Sequence, residues 1–336
     1  MQSLLFVLAL NLALIAPSLH VVERGYYVMG SSLTFTLYCR DRALCVEAIS
    51  EAHEEVKRLD RIFSNYRSDS VLATVHANAR AVPPAPVPVP KEFIDLVMMA
   101  NRYSALTRGA FDITAAPLIE LWKSRGEGRG LPPTPREIAH AKACVGAGKI
   151  TLSPKRGTVF LNTPCMLLDF GGIGKGYAVD RVIDVLRARG VSVGIVDFGG
   201  NIYAMRPPPG EDGWVVGVRH PEHPNRAFTK IKISNAGVAT SGDYERFITI
   251  GGKRYSHIID PRTGYPVRSV PSVTVLAGSA VEADALSTAF TVMGEGEVRE
   301  AIGDWAHVGV LMLRKGANGE LSVFKSKGFS ERELGE

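Results

Sequence analysis

Asp284 and Thr288 stand four residues apart in VEADALSTAFTVM, a stretch that reads as a helix, so their side chains share one face. A carboxylate and a hydroxyl so placed suit a hard cation such as Mg2+, completed by backbone carbonyls, water and a ligand phosphate. The same two residues also suit an acidic first helical turn and a threonine bonded to its own backbone. A second candidate is Leu168 to Asp180, LDFGGIGKGYAVD, read as strand, tight loop and helix. Gly171, Gly172, Gly174 and Gly176 would permit positive φ and close ligand approach. The helix that follows begins with unpaired N–H groups and a positive dipole end, with Lys175 beside them. Such a loop suits a phosphate or pyrophosphate, although a purely structural glycine turn has the same composition. The Walker pattern fails, because Asp169 replaces its first glycine and Gly176 its hydroxyl residue; the dinucleotide fingerprint fails at Tyr177. His257, in Ser256-His257-Ile258-Ile259-Asp260-Pro261, could hold a phosphate or move a proton near neutral pH, or serve structurally. Asp112 could bind a ligand N–H, with helix capping the default. The chain has no G-x-S-x-G and no cysteine with a local histidine, so residue types favour metal-assisted phosphoryl transfer over a protein nucleophile.

The elements that must position these residues can be read in order. A Met29-Gly30-Ser31 turn joins two extended segments within 26–38, and an amphipathic helix covers 43–63. The polar loop 63–70 presents Tyr66. A proline-rich connection at 81–90 leads to a helix over 91–106, then come a short helix at 136–145 and two strands within 150–161. The run 194–203 reads as one buried strand repeating DFGG, which hints at two equivalent strand ends beside one cleft. Strands at 214–218 and 228–233 flank His220 and His223, read as solvated surface. A segment at 237–241 precedes a strand at 244–250 that turns at Gly251-Gly252, and a further strand covers 272–276. After the helix at 281–293, strands at 308–313 and 321–325 close the sheet. Intermixed helices and hairpins predict an α+β fold with mixed or antiparallel sheets and packed helices.

Composition narrows the function classes. With 46% hydrophobic and 22% charged residues, the chain is that of a folded protein, and its 336 residues suffice for a large core. A net charge of +5 mildly favours an anionic ligand, but the basic residues are scattered, which argues against nucleic acid. Residues 1–20 carry an apolar run of signal-peptide length without a basic residue before it, and predict an exported or membrane-anchored protein. Four cysteines, at 39, 45, 144 and 165, lack metal-site spacing; export would permit one or two disulfides.

Together the segments resemble the FAD:protein FMN transferases, the ApbE-type flavin transferase family. The resemblance rests on Val28 to Ser31, Phe63 to Tyr66, Phe111 to Thr114, Leu168 to Asp180, Val196 to Asn201, Ala239 to Gly242, Ser256 to Gly264 and Glu282 to Asp284, all in the family's order. It implies one large T-fold-like flavin-transferase domain over 21–336, acting in the periplasm or on the outer face of the inner membrane. It further implies Mg2+-dependent (or Mn2+-dependent) cleavage of FAD, release of AMP, and FMN attached through a phosphoester to a Thr or Ser hydroxyl of a partner flavoprotein. By position, Asp284, Thr288 and the Gly172 carbonyl resemble the metal ligands. Met29, Tyr66, Asp112, Asp169 and Lys175 resemble the FAD contacts, and His257 resembles the histidine needed for activity, with Thr240 and Ser241 close by. Gly174 departs from the alanine of many relatives. If water replaced the acceptor, the same site would be an FAD pyrophosphatase; a periplasmic FAD-binding protein without turnover is the third possibility.

Overall fold

The computed structural model describes residues 19–126, 130–223, 225–242, 247–268, 272–315 and 320–335. Residues 1–18, nearly all of the predicted leader, lie outside the described residues, as do residues 244–246 of one predicted strand. The leader's last position, His20, already belongs to β1 (His20–Val28), which turns at Met29-Gly30 into β2 (Ser31–Cys39). Met29 and Gly30 both have positive φ, which a two-residue hairpin turn of this kind requires.

The helical and small-sheet layer comes next. It comprises α1 (Arg42–Phe63), α2 (Val71–Ala79), β3 (Val87–Pro88), α3 (Lys91–Leu106), α4 (Ala116–Gly126), α5 (Pro135–Ala143), β4 (Ile150–Ser153) and β5 (Thr158–Leu161). Asp41 caps α1 through the Ala43 N–H. Cys45, Ile49, Ala52, Val56, Leu59 and Ile62, at helical spacing, bury its inner face. Then follow α6 (Gly174–Ala188), β6 (Val193–Phe198), β7 (Asn201–Ala204), β8 (Trp214–Arg219), β9 (Ala227–Ile233), β10 (Ala236–Gly242), β11 (Phe247–Ile250), β12 (Lys253–Ser256) and β13 (Ser272–Ala277). The chain finishes with α7 (Ala280–Ala301), which is broken at Gly294 (φ 71°, ψ 174°), β14 (Gly309–Lys315), β15 (Leu321–Lys325) and α8 (Lys327–Ser330).

An eight-stranded antiparallel sheet in the order β1-β2-β6-β7-β10-β13-β14-β15 forms the spine. Strand alternation sends Ala239, Val273, Val275 and Met312 into the main core under α1, α6 and α7. Their neighbours Val238, Leu276, Leu311 and Leu313 meet the β8–β9 hairpin and Phe329 on the other face. The α+β architecture with antiparallel sheets agrees with the sequence expectation.

Two local readings are corrected. Leu168 and Asp169, predicted as the end of a strand, lie in a segment, 166–170, outside any ladder; the Leu168 N–H donates to His76 Nε2 and the Asp169 N–H to the Ile113 carbonyl. The run 194–203 is a hairpin, β6 and β7, turning at Gly199 (φ 59°) and Gly200 (φ 85°). The two DFGG sequences are therefore not equivalent: one leads into a helix, the other makes a strand turn. The second glycine pair supplies consecutive positive φ values, while the first pair has none.

Candidate active site

The geometry is set by the crossing of α6 and α7. A Cβ at Gly176 would clash with the Ala280 carbonyl and lie 2.7 Å from Asp284 Cβ, so glycine is what lets the helices touch. None of Gly171, Gly172, Gly174 and Gly176 has a positive φ, which corrects the expectation that the cluster supplies such backbone. At Gly172, as at Gly176, the need is close packing: an added Cβ would meet Thr288 Oγ1 at 3.0 Å and Phe111 at 3.3 Å.

The helices also cap each other. Asp180 of α6 accepts the Ala280 and Val281 N–H groups at 2.8 and 2.9 Å, at the start of α7. Asp284 of α7 accepts the Gly176 N–H through Oδ2 at 2.8 Å, in the first turn of α6. Each carboxylate sits at the positive end of the other helix. One of the N–H groups expected to await a phosphate is thus occupied by the protein itself.

Beneath this crossing, Phe170 and Tyr177, which bracket the glycine loop, enter an aromatic cluster with Phe63 and Phe93 at centroid separations of 5.3 to 6.3 Å. The loop is anchored by its aromatic ends while Gly172 and Gly176 lie against α7. Asp169 Oδ1 accepts the Gly171 N–H, opening the turn.

Asp284 and Thr288 do share a face of α7, as predicted. Asp284 is 5% exposed, and Thr288 Oγ1 lies 3.3 Å from Ser241 Oγ on β10. Ser287, not Thr288, bonds locally, donating to the Asp284 carbonyl. Burial pushes the Asp284 carboxyl up to about 6, against the pull of Lys175 and of the Gly176 N–H. Lys175 Nζ reaches the Gly199 carbonyl at 3.4 Å, at the β6–β7 turn. Gly199 in turn donates to the Ser32 carbonyl, which brings the Met29 turn to the same edge. Lys175, Asp284, Thr288, Ser241 and Gly172 are therefore brought together, with Met29 on the neighbouring turn.

The other predicted residues have separate places. Asp112 caps the turn Ile113–Ala115, accepting from Thr114 N and Oγ1, so the capping reading holds. Its neighbour Ile113 receives the Asp169 N–H, which places Asp112 and Asp169 on adjoining backbone. Tyr66, 90% exposed, stands on the loop after α1. Thr240 points to the sheet face opposite Ser241 and lies 2.8 Å from Thr274 Oγ1, away from the α7 cluster. His257 directly follows β12 and is partly buried; the Asp260 turn after it is tied to Glu297 of α7 through Arg262. His220 and His223 lie with ring centroids 4.7 Å apart, tilted by 43°, on the β8–β9 connection. An open groove of 1120 Å3, lined by α4, α5, Arg80 and the Cys144–Cys165 disulfide, contains none of the predicted site residues.

Sequence reasoning assigned no role to Asn201, Asp180 or His76. Asn201 and Asp180 lie inside quoted motifs, but their burial and partners depend on the helix crossing.

Among the described residues no three His, Cys, Asp or Glu side chains converge on a metal position. The oxygen donors present, Asp284, Thr288, Ser241 and the Gly172 backbone, nevertheless fit Mg2+, which takes few protein ligands and retains water or substrate phosphate oxygens. Gly172 lies against Thr288, and Asp284 is one helical turn away on the same face.

The ApbE family model matches residues 29–312. Among relatives, the FAD:protein FMN transferase of Haemophilus influenzae is 30% identical over 322 residues, covering 93% of this chain and 92% of that protein. The Vibrio cholerae FAD:protein FMN transferase is 35% identical over 259 residues, 76% of each chain. Among solved structures, an ApbE protein of Thermotoga maritima superposes with a TM-score of 0.84 at 31% identity, covering 94% of this chain and all of that one. The apo flavinyl transferase ApbE of Pseudomonas stutzeri gives 0.81 at 30% identity, covering 94% and 97%.

Proposed function

The chain belongs to the ApbE family, and from that premise we propose that it is an FAD:protein FMN transferase that moves FMN from FAD to a Thr or Ser hydroxyl of a partner flavoprotein, releasing AMP. The observation that carries the reading is the convergence of Lys175, Asp284, Thr288, Ser241 and Gly172 where α6 and α7 cross. A cationic and a hard-oxygen group side by side suit a pyrophosphate, whose cleavage needs charge neutralised and phosphorus exposed.

In this reading Lys175 takes up charge on the pyrophosphate, and the exposed Tyr66 ring stacks on a flavin or adenine ring. Met29, Asp112 and Asp169 line the approach. Asp284, Thr288 and the Gly172 carbonyl would hold Mg2+ or Mn2+, which when bound supplies Lewis-acid charge to the phosphate oxygens. The acceptor hydroxyl oxygen forms a bond to the FMN phosphorus as the bridging P–O bond breaks and AMP departs with the bridging oxygen. His257 takes the hydroxyl proton. Export is part of the proposal. The disulfides Cys39–Cys45 and Cys144–Cys165 support an oxidising compartment such as the periplasm.

The test is product analysis of purified protein with FAD and Mg2+, with and without a domain bearing a flavinylatable threonine. AMP together with a flavin-labelled, mass-shifted acceptor supports the transferase. AMP with free FMN despite acceptor would make it a pyrophosphatase, and intact bound FAD a binding protein.

A further inference from the structure

We propose that Asn201 is an insulating spacer that keeps Lys175 and Asp284 from closing into a direct ion pair, leaving the ammonium for substrate phosphate and the carboxylate for the cation. The inference rests on the phosphate and metal roles proposed above for those two residues. Asn201 is 4% exposed and opens β7 immediately after the Gly199-Gly200 turn. Its backbone is held between Phe198 of β6 and Ala239 of β10, and the Ala239 register puts its side chain on the α7 face.

A carboxylate can only accept hydrogen bonds and an ammonium can only donate, so one amide orientation satisfies both neighbours. In it Nδ2 donates to Asp284 Oδ1 at 3.1 Å, and Oδ1 accepts from Lys175 Nζ at 3.1 Å. The second Asp284 oxygen is held by the Gly176 N–H, so the carboxylate is clamped on both sides. The two charges are thus joined through one neutral amide rather than touching. Opposite charges this close, one of them the buried Asp284 carboxylate, attract, and a direct pair would withdraw both from any ligand. A neutral side chain with a donor at one fork and an acceptor at the other is what prevents that collapse. Aspartate at 201 would repel Asp284, lysine would repel Lys175, and alanine would leave the gap open.

The discriminating experiment uses the full chain, stripped of metal, in two binding assays. Mn2+ binding without FAD is followed by the electron paramagnetic resonance of the free ion; FAD binding in EDTA is followed by flavin fluorescence. Asn201→Ala should weaken both by about ten- to a hundredfold, the range seen when partners of metal ligands are removed. Adding Lys175→Met to Asn201→Ala should restore Mn2+ affinity, and adding Asp284→Asn should restore FAD affinity, each to within about threefold of the wild type. A side chain that merely packs the hairpin would show no such rescue. Unchanged affinities in Asn201→Ala, or losses that neither second substitution restores, would overturn the spacer. If the wild-type chain binds no Mn2+, the cation reading fails separately, and rescue of FAD binding by Asp284→Asn alone decides the spacer. Asn201→Ser, too short to bridge both charges, runs through the same assays should the alanine variant not fold.

Discussion

The roles proposed for single side chains at the α6–α7 crossing differ, and substitution should separate them. Asp284→Ala removes the one buried carboxylate of the cluster and leaves the Gly176 N–H without its acceptor. We expect FAD cleavage to fall by about a hundredfold or more, the scale of losing a preorganised charge at a reacting phosphate. Activity unchanged in chelator-cleaned buffer with added Mg2+ would remove Asp284 from the metal assignment. Lys175→Ala should weaken FAD by roughly ten- to a hundredfold while leaving riboflavin nearly unaffected, as expected for a charge-assisted contact to phosphate. Equal losses for both ligands in a fluorescence titration would count against that role. Asp284 and Lys175 stood out in the sequence because their residue types and spacing match phosphate chemistry. Asn201 did not, because an asparagine after a glycine turn reads as ordinary turn chemistry until its burial is known.

At the level of elements, the site depends on how closely two helices and one extended segment approach. Gly176→Ala places a methyl group against the Ala280 carbonyl, so α6 and α7 must separate. A loss of about 1–3 kcal/mol in denaturant unfolding is expected, despite alanine's higher helix propensity, with FAD cleavage falling as the cluster spreads. The extended segment before the glycine loop is held by His76, whose Nε2 must be unprotonated to accept from Leu168. Burial, with Arg80 adding to it, holds the His76 imidazole down at about 4. Because the folded value lies below the ordinary value near 6.5, this stabilisation is present above about pH 6.5 and is lost as pH falls toward 4. Burial raises Asp180 to about 6, which acts in the opposite sense: its contribution is present below about pH 3.8 and is lost as pH rises through 6. His76→Gln keeps an acceptor but not the titration. Its stability relative to the wild type should therefore rise by on the order of 2–3 kcal/mol between pH 7 and pH 4. A difference independent of pH would mean that His76 does not titrate in this window.

Across the whole molecule, one eight-stranded sheet carries both the β6–β7 turn and β10, while two disulfides fasten the outer layer. Cys144–Cys165 closes a separation of 21 residues that ends just before the glycine-loop approach. Replacing Cys144 and Cys165 with serine should cost roughly 3 kcal/mol, read as a lower denaturation midpoint, and reductant, which opens both disulfides, should lower the native chain's midpoint at least as far. No shift in either measurement would mean that the crosslink does not constrain the unfolded chain. Much of this architecture was legible in advance. The helices α1, α3 and α7, the Met29 and Gly251-Gly252 turns and the β8–β9 pair follow from local patterns of apolar residues and turn formers. What the chain order could not convey was proximity. Four clustered glycines signal permissive backbone, but only the packed structure shows that none takes a positive φ and that Gly172 and Gly176 serve close packing. The two DFGG runs share letters and differ in conformation, because one is drawn onto an aromatic cluster and the other closes a two-stranded ladder. By itself the sequence determined the helices and hairpins, the α+β class and the residue types for phosphate chemistry. The tertiary structure decided which of those residues meet, since Asp284 and Gly176 lie 108 positions apart and converge only when α6 and α7 pack.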